Sequence, residues 1–110
     1  MATVYKILGQ QCPTNTNETT LYTVPSATSA VISSLTISNI TGTDANATVN
    51  IKQGGAAASD ANTLMKTVEV SPNSVNSFTL GMTLAATDVI SVTTGTNSAL
   101  TFQLFGSEIS

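Results

Sequence analysis

Apolar and polar residues alternate along much of the chain. Leu35 and Ile37 lie on one side of such a segment, and Val49 and Ile51 lie on one side of another. A period of two residues is that of a β-strand with one buried and one wet face. The same period recurs in two later sets: Phe78, Leu80 and Met82, and Leu100, Phe102 and Leu104.

The pattern predicts eight short strands and no long helix. Thr, Val and Ile favour strands, whereas the strong helix formers Glu, Lys and Arg are scarce or absent. The predicted strands are Thr3–Leu8, Thr19–Val24, Ala30–Asn39, Ala47–Gln53, Thr63–Val70, Ser77–Met82, Asp88–Thr93 and Ala99–Phe105.

Turn-forming residues separate these segments at intervals of about 8–12 residues, a spacing typical of β-sandwiches and barrels. Pro25, Gly42, Pro72 and Gly95 stand in four of the breaks. A chain of 110 residues without an internal repeat is expected to form one domain, residues 1–110. We therefore predict a single all-β domain: an antiparallel, jelly-roll-like sandwich of about eight strands.

The segment "TLMKTVEV" does not fit a simple strand. Strict alternation places Lys66 on one face with Leu64 and Val68, and Glu69 on the other face with Met65, so neither face is cleanly apolar. Lys66 is compatible with an edge strand, where a charge discourages edge-to-edge pairing. The alternative is a strand half-covered on each face, once by the core and once by a neighbouring subunit.

The chain is unusually poor in charge. Charged residues make up 8% of the sequence, with three Lys, no Arg, no His and a net charge of −3. Nucleic-acid binding depends on basic side chains that neutralise phosphates, so we expect none here. Contacts made by such a surface should depend little on salt.

The sequence shows no targeting or membrane signal. No apolar run approaches the roughly 18 residues of a membrane span, and "MATVYKILGQ" is not typical of a secretory signal. The single cysteine excludes an internal disulfide, which suits synthesis in a reducing cytoplasm. We expect no membrane association.

Catalytic and metal-binding residues are sparse, and we expect no enzyme activity, cofactor or metal. The six acidic residues are spread singly, and general acid–base catalysis has no His to use. Cys12 has no His to form a thiolate with and is expected to be an inert, partly buried thiol. Asp44 and Asn46 are too few for a calcium loop, and turn hydrogen bonding explains them more simply.

The Gly-rich stretch "QGGAAASD", residues 53–60, is not a phosphate-binding loop. It lacks the Lys-Ser/Thr that follows in a P-loop and the strand–helix context of a dinucleotide fold. Two interpretations stand: an ordinary flexible surface loop, or a small uncharged loop able to lie close against another protein.

Four blocks resemble small virion structural proteins of tailed bacteriophages, especially those of cyanobacteria. The blocks are "MATVYKILGQ", "TTLYTVPSATSAVISSLTISN", "TLGMTLAATDVISVTTG" and "LTFQLFGSEIS". The resemblance runs over nearly the whole chain. It implies a virion part made in the host bacterial cytoplasm, either a capsid decoration (cement) protein or a small tail, collar or fibre component. It implies no catalysis.

A one-domain chain fits decoration of the capsid better than a fibre, which usually needs a separate anchor and tip. We therefore expect a homo-oligomer, with a trimer at local three-fold positions as the leading form, bound to the major capsid protein. A tail, collar or fibre component with a host-surface-binding role is the alternative.

The contact residues are predicted from the N-terminal strand and Gln11–Glu18 first, and from the Gly-rich loop second. Tyr5 and Tyr22 are candidate anchors because aromatic residues concentrate binding energy; the alternative for each is a place in the core. The candidate interface residues are Tyr5, Gln10, Gln11, Cys12, Pro13, Tyr22, Gln53, Gly54, Gly55 and Lys66.

Overall fold

The computed structural model describes residues 2–110, and for Leu80 the backbone only, so the predicted inward position of the Leu80 side chain lies outside the described part. Within it, all eight predicted strands are present, with ends displaced by up to four residues. The strands are β1 (Thr3–Gln11), β2 (Thr19–Thr23), β3 (Ser29–Asn39), β4 (Ala45–Lys52), β5 (Thr63–Val70), β6 (Val75–Leu84), β7 (Val89–Thr94) and β8 (Leu100–Ile109).

The strands form two four-stranded antiparallel sheets. Sheet A has the order β1-β8-β3-β6 and sheet B the order β2-β7-β4-β5. Successive strands change sheet except in the β4–β5 connection, and each sheet brings together strands that are distant in sequence. This is the strand order of a jelly roll, so the predicted fold class is confirmed.

The core lies between the two sheets and is built from the predicted alternation. Leu35 and Ile37 of β3 and Leu104 of β8 are at most 1% exposed from sheet A. Val49 of β4 and Val92 of β7 face them from sheet B and are fully buried. A fully buried side chain of this size contributes roughly 1.5–3 kcal/mol, so the inner faces supply most of the stabilisation.

Strand β5 deviates from strict alternation because it contains a β-bulge. Thr67 has a positive φ of 49°, and the pairing of β4 with β5 shifts register between Ala47 and Val49. The extra residue puts Met65 and Val68 on the same inner face, although they are three residues apart. The predicted face shared by Lys66 and Val68 is therefore wrong: Lys66 is exposed on the outer face, and β5 is an edge strand, as the first interpretation had it.

The Gly-rich connection between β4 and β5 is ordered by its neighbours. It contains two short 3-10 turns, Gln53–Gly55 and Asp60–Asn62. The Asp88 carboxylate accepts hydrogen bonds from the backbone N–H groups of Gly54, at 2.8 Å, and Ala85, at 2.9 Å. One side chain thus ties together two connections at the same end of the sandwich. The described part of the chain contains no helix long and apolar enough to cross a lipid bilayer.

Candidate interaction surface

The outer face of sheet A carries no charged side chain among the described residues. Strand register fixes which residues share this face, because it lies opposite the buried row that contains Ile32 and Leu35. We call it the uncharged face. Its members are Thr3, Tyr5, Ile7, Gln10, Ser29, Val31, Ser34, Thr36, Ser38, Val75, Ser77, Thr79, Thr83, Thr101, Gln103, Phe105, Ser107 and Ile109.

The two charged residues of sheet A point to its inner side. Lys6 and Glu108 form an ion pair of 2.9 Å, and the Tyr22 hydroxyl of sheet B donates to the other carboxylate oxygen of Glu108 at 2.5 Å. This cluster links the two sheets through the bond from Tyr22 to Glu108. It also removes from the uncharged face the only ionic groups that the sheet A strands contain.

The outer face of sheet B has the opposite character. Glu18 and Lys52 form an ion pair of 3.1 Å there, and Lys66 and Glu69 are exposed on β5. The connection that carries Asn62 folds over this face, where Asn50 of β4 donates to Asn62 Oδ1 at 2.9 Å. The sandwich therefore has one bare uncharged face and one charged, partly covered face.

Exposed apolar side chains concentrate on the first half of β1. Tyr5 is 84% exposed, Ile7 52% and Val4 51%. β1 is an edge strand with a neighbour on one side only, and β2 approaches it only further along the chain, where Gly9 lies against the backbone of Leu21. Nothing in the described chain covers this half of the strand.

The predicted interface residues do not form one patch. Tyr5 and Gln10 lie on the uncharged face, where Gln10 donates to Gln103 at 2.8 Å. Gln11 and Cys12 are exposed at the far end of β1, so the expectation of a partly buried Cys12 thiol is wrong; the loop leaves it in solvent.

The remaining candidates lie away from the uncharged face. Tyr22 is 7% exposed and Pro13 is buried, so neither presents a side chain to a partner. Tyr22 is a core aromatic, as the alternative had it, because its hydroxyl finds a partner inside the sandwich. Gln53, Gly54 and Gly55 are exposed at the connection over sheet B, and Lys66 is exposed on β5.

Two glutamates have pKa values that are shifted by hydrogen bonds which the sequence did not reveal. A hydrogen bond from the Tyr22 hydroxyl, followed by one from Lys6, lowers the pKa of Glu108 below its usual value. The Ser91 hydroxyl and then Lys52 lower the pKa of Glu18 in the same way. Burial, aided by the bond to Glu108, raises the pKa of Tyr22. Both carboxylates are thus held ionised as structural acceptors.

Local sequence carried no signal for these clusters. Lys6 and Glu108 are 102 positions apart, and Lys52 and Glu18 are 34 apart, so only the folded topology brings them together.

Residues 2–110 hold no group of three or more Cys, Asp or Glu side chains placed to bind a metal ion. A cavity of about 470 Å³ lies beside Ala30, Leu84 and Ile109, and its one carboxylate, Asp88, is used to hold the two turns.

Comparison with known proteins finds similarity only to solved structures, and it is distant. No family model and no curated protein match the chain. A chain in a structure of infectious bursal disease virus strain Gx is 10% identical, with a TM-score of 0.48 over 97% of this chain and 31% of that one. The corresponding values for strain Gt are 9%, 0.44, 97% and 28%. This chain thus spans less than a third of the length of those viral chains. At such identity and TM-score the likeness carries no inference about function.

Proposed function

We propose that this protein is a structural component of a virion, acting as a decoration protein that binds the outer surface of a capsid and stabilises it. The resemblance of its sequence blocks to small virion proteins of tailed bacteriophages points to this class. The proposed role is structural and not enzymatic, and the protein would be made in the host bacterial cytoplasm before it joins the particle.

The uncharged face is the observation that carries the proposal. A virion meets widely varying salt outside the cell, and contacts between exposed charges weaken as salt rises. Apolar and neutral hydrogen-bonding groups do not lose strength in that way. Tyr5 and Ile7 supply the apolar anchors, and Thr, Ser and Gln supply the hydrogen bonds around them.

The size of the face is suited to a weak single contact that is reinforced by repetition. Four strands at about 4.8 Å spacing and about 33 Å long give roughly 600 Å² of flat area. A standard stable interface uses about 800 Å² per partner. One copy therefore binds modestly, and association of several copies on a symmetric shell multiplies the affinity. The form that we expect on the capsid is a trimer at local three-fold positions.

The proposal is tested by adding the purified protein to expanded capsids that lack it. We expect bound copies in the hundreds per particle, retention in ~1 M salt, where the Debye length is about 3 Å, and a higher temperature of shell rupture. The Tyr5→Ser variant should bind at least tenfold more weakly, whereas Lys66→Ser, which alters the opposite sheet, should bind as the parent does.

Equal rupture temperatures for decorated and bare shells would remove the decoration role. The alternative, a tail, collar or fibre component, predicts a dozen or fewer copies per particle. Antibody against such a component should block adsorption to the host.

A further inference from the structure

The free edges of the two sheets differ in how they are protected against pairing. Edge strand β5 has a bulge at Thr67 and exposed charges, edge strand β2 is five residues long, and edge strand β6 has an irregular register opposite Ile32–Ser34. Bulges, charges and short length are the usual means of blocking edge-to-edge pairing. The register of β1 shifts only between Ile7 and Gly9, so its first half, Thr3–Ile7, has no bulge, and its one charge is Lys6.

Lys6 is the one charged residue in this half, and its ammonium group is not placed to block pairing with another strand. Its ammonium group is bonded at 2.9 Å to Glu108 of the neighbouring strand, on the inner side of the sheet. The edge itself is therefore regular in register from Thr3 to Ile7 and flanked by the exposed side chains of Val4, Tyr5 and Ile7.

The backbone of this edge presents a full set of unused hydrogen-bonding groups. Ala2 and Ser110 exchange two backbone hydrogen bonds, of 2.6 and 2.9 Å, at the start of the β1–β8 ladder. Main-chain groups of successive residues point alternately to the two sides of a strand. Those of Val4 and Lys6 therefore point to β8, and those of Thr3, Tyr5 and Ile7 point outward from the sheet.

We propose that β1 is the contact between two copies of this chain, pairing antiparallel with β1 of a second copy about a two-fold axis at Tyr5. Thr3 then lies opposite Ile7 of the second copy, and Tyr5 lies opposite itself. Three residue pairs with two bonds each give about six new backbone hydrogen bonds, all from groups that otherwise face water.

Charge repulsion and loss of pairing disfavour the two registers that differ from this one by a shift of the axis by one residue. A shift that centres the axis on Lys6 places two ammonium groups directly opposite each other, which destabilises a pair of strands. A shift toward the N-terminus centres the axis on Val4 and leaves Ile7 unpaired with any residue of the strand. With Tyr5 on the axis, Lys6 lies opposite Val4, and its apolar stem covers that exposed side chain.

The apolar groups at this edge suit a second copy of the same strand. Tyr5, 84% exposed, presents roughly 200 Å², and the two-fold axis places it beside its own symmetry mate. Pairing converts two sheets of four strands into one of eight and doubles the uncharged face to roughly 1,200 Å², beyond the area of a standard contact per partner. The contact belongs to the free chain, and its test needs no capsid.

Disulfide trapping tests both the contact and its register. In a Cys12→Ser background, Tyr5→Cys should form a covalent dimer on mild oxidation, because paired Cα atoms lie about 5.5 Å apart, within disulfide range. Thr3→Cys is the matched control: it lies roughly 13 Å from its own copy and should not cross-link alone. A mixture of Thr3→Cys and Ile7→Cys should yield the mixed dimer.

The uncross-linked protein gives a second measurement. In sedimentation, the wild type should show a concentration-dependent dimer, or an even-numbered larger assembly if a three-fold contact also exists. Tyr5→Pro should weaken association at least tenfold and leave the circular dichroism unchanged, because it removes an N–H group that faces solvent in the monomer. Three results would each overturn the proposal: a monomer at ~1 mM whose Tyr5→Cys variant does not cross-link, a trimer whose Tyr5→Cys variant does not cross-link, or equal cross-linking of Thr3→Cys alone.

Discussion

At the scale of single residues, Glu108 connects three strands through one carboxylate. Glu108 lies in β8, and its carboxylate accepts one hydrogen bond from Lys6 of β1 and one from Tyr22 of β2. The bond from Tyr22 is also a direct polar link between the two sheets. Few charged residues are present, and this one is used to join elements rather than to solvate the surface.

Replacing the carboxylate of Glu108 by an amide should destabilise the fold. We expect Glu108→Gln to lower the free energy of unfolding by about 1–3 kcal/mol, because two charge-assisted hydrogen bonds lose their anionic acceptor. Urea unfolding measures the change. Glu69→Gln removes the same charge from the exposed outer face of β5 and should cost under about 0.5 kcal/mol. Equal effects of the two variants would contradict the role of the Glu108 cluster.

Acid should weaken the fold through the same groups. The pKa values of Glu18 and Glu108 are lowered in the folded chain, so below the unfolded value of about 4.3 the unfolded state binds more protons. Their stabilisation is full above that pH and is lost as pH falls through the lowered folded values. Unfolding measured from pH 6 to 2 should show a flatter acid limb in the Glu18→Gln/Glu108→Gln double variant than in the wild type.

At the scale of elements, the crossing of β1 over β2 depends on a glycine. A Cβ atom on Gly9 would collide with the backbone carbonyl oxygen of Leu21, whereas one on Gly42 would meet nothing within 4 Å. We expect Gly9→Ala to cost about 1–3 kcal/mol, the usual range for overpacking, and Gly42→Ala to be near neutral. Thermal unfolding of the two variants provides the comparison, and a neutral Gly9→Ala would refute the close approach.

The β5 bulge holds a β-branched residue in a left-handed conformation. Thr67 has a φ of 49°, a region that Asn adopts more readily than Thr. We expect Thr67→Asn to stabilise the protein by up to about 1 kcal/mol, since the bond from the Thr67 N–H to Thr48 Oγ1, 3.0 Å long, is kept. Thr67→Val retains the branching and should give no gain in the melting temperature.

Strand positions followed from sequence because the two-residue period is local and survives folding. Val49 and Leu104 face inward as that period predicts. The period failed at Thr67, because a bulge inserts one residue, and nothing in "TLMKTVEV" marks where. The roles of Tyr5 and Tyr22 were equally undecidable: each stands in a strand, and only the sheet order puts one at a free edge and the other between the sheets.

At the scale of the whole molecule, the charges are divided unequally between the two outer faces. Four charged residues, Glu18, Lys52, Lys66 and Glu69, belong to the sheet B side, and none belongs to the uncharged face in the described chain. A binding partner that excludes water from the uncharged face therefore does not have to desolvate an ion. A chain with few charged residues can thus keep one whole face free of ions by placing those residues elsewhere.

A single lysine on either outer face should test that division. Thr36 lies on the uncharged face and Thr93 on the sheet B side, and both are partly exposed. Thr36→Lys should weaken binding to capsids at least tenfold, because docking would bury an ammonium group without a partner, and the loss should persist at ~1 M salt since desolvation is not screened. Thr93→Lys adds the same charge to the chain and should bind as the wild type does. If both variants bound equally well, the uncharged face would not be the docking surface; if both lost binding only at low salt, net charge and not the face would govern the contact.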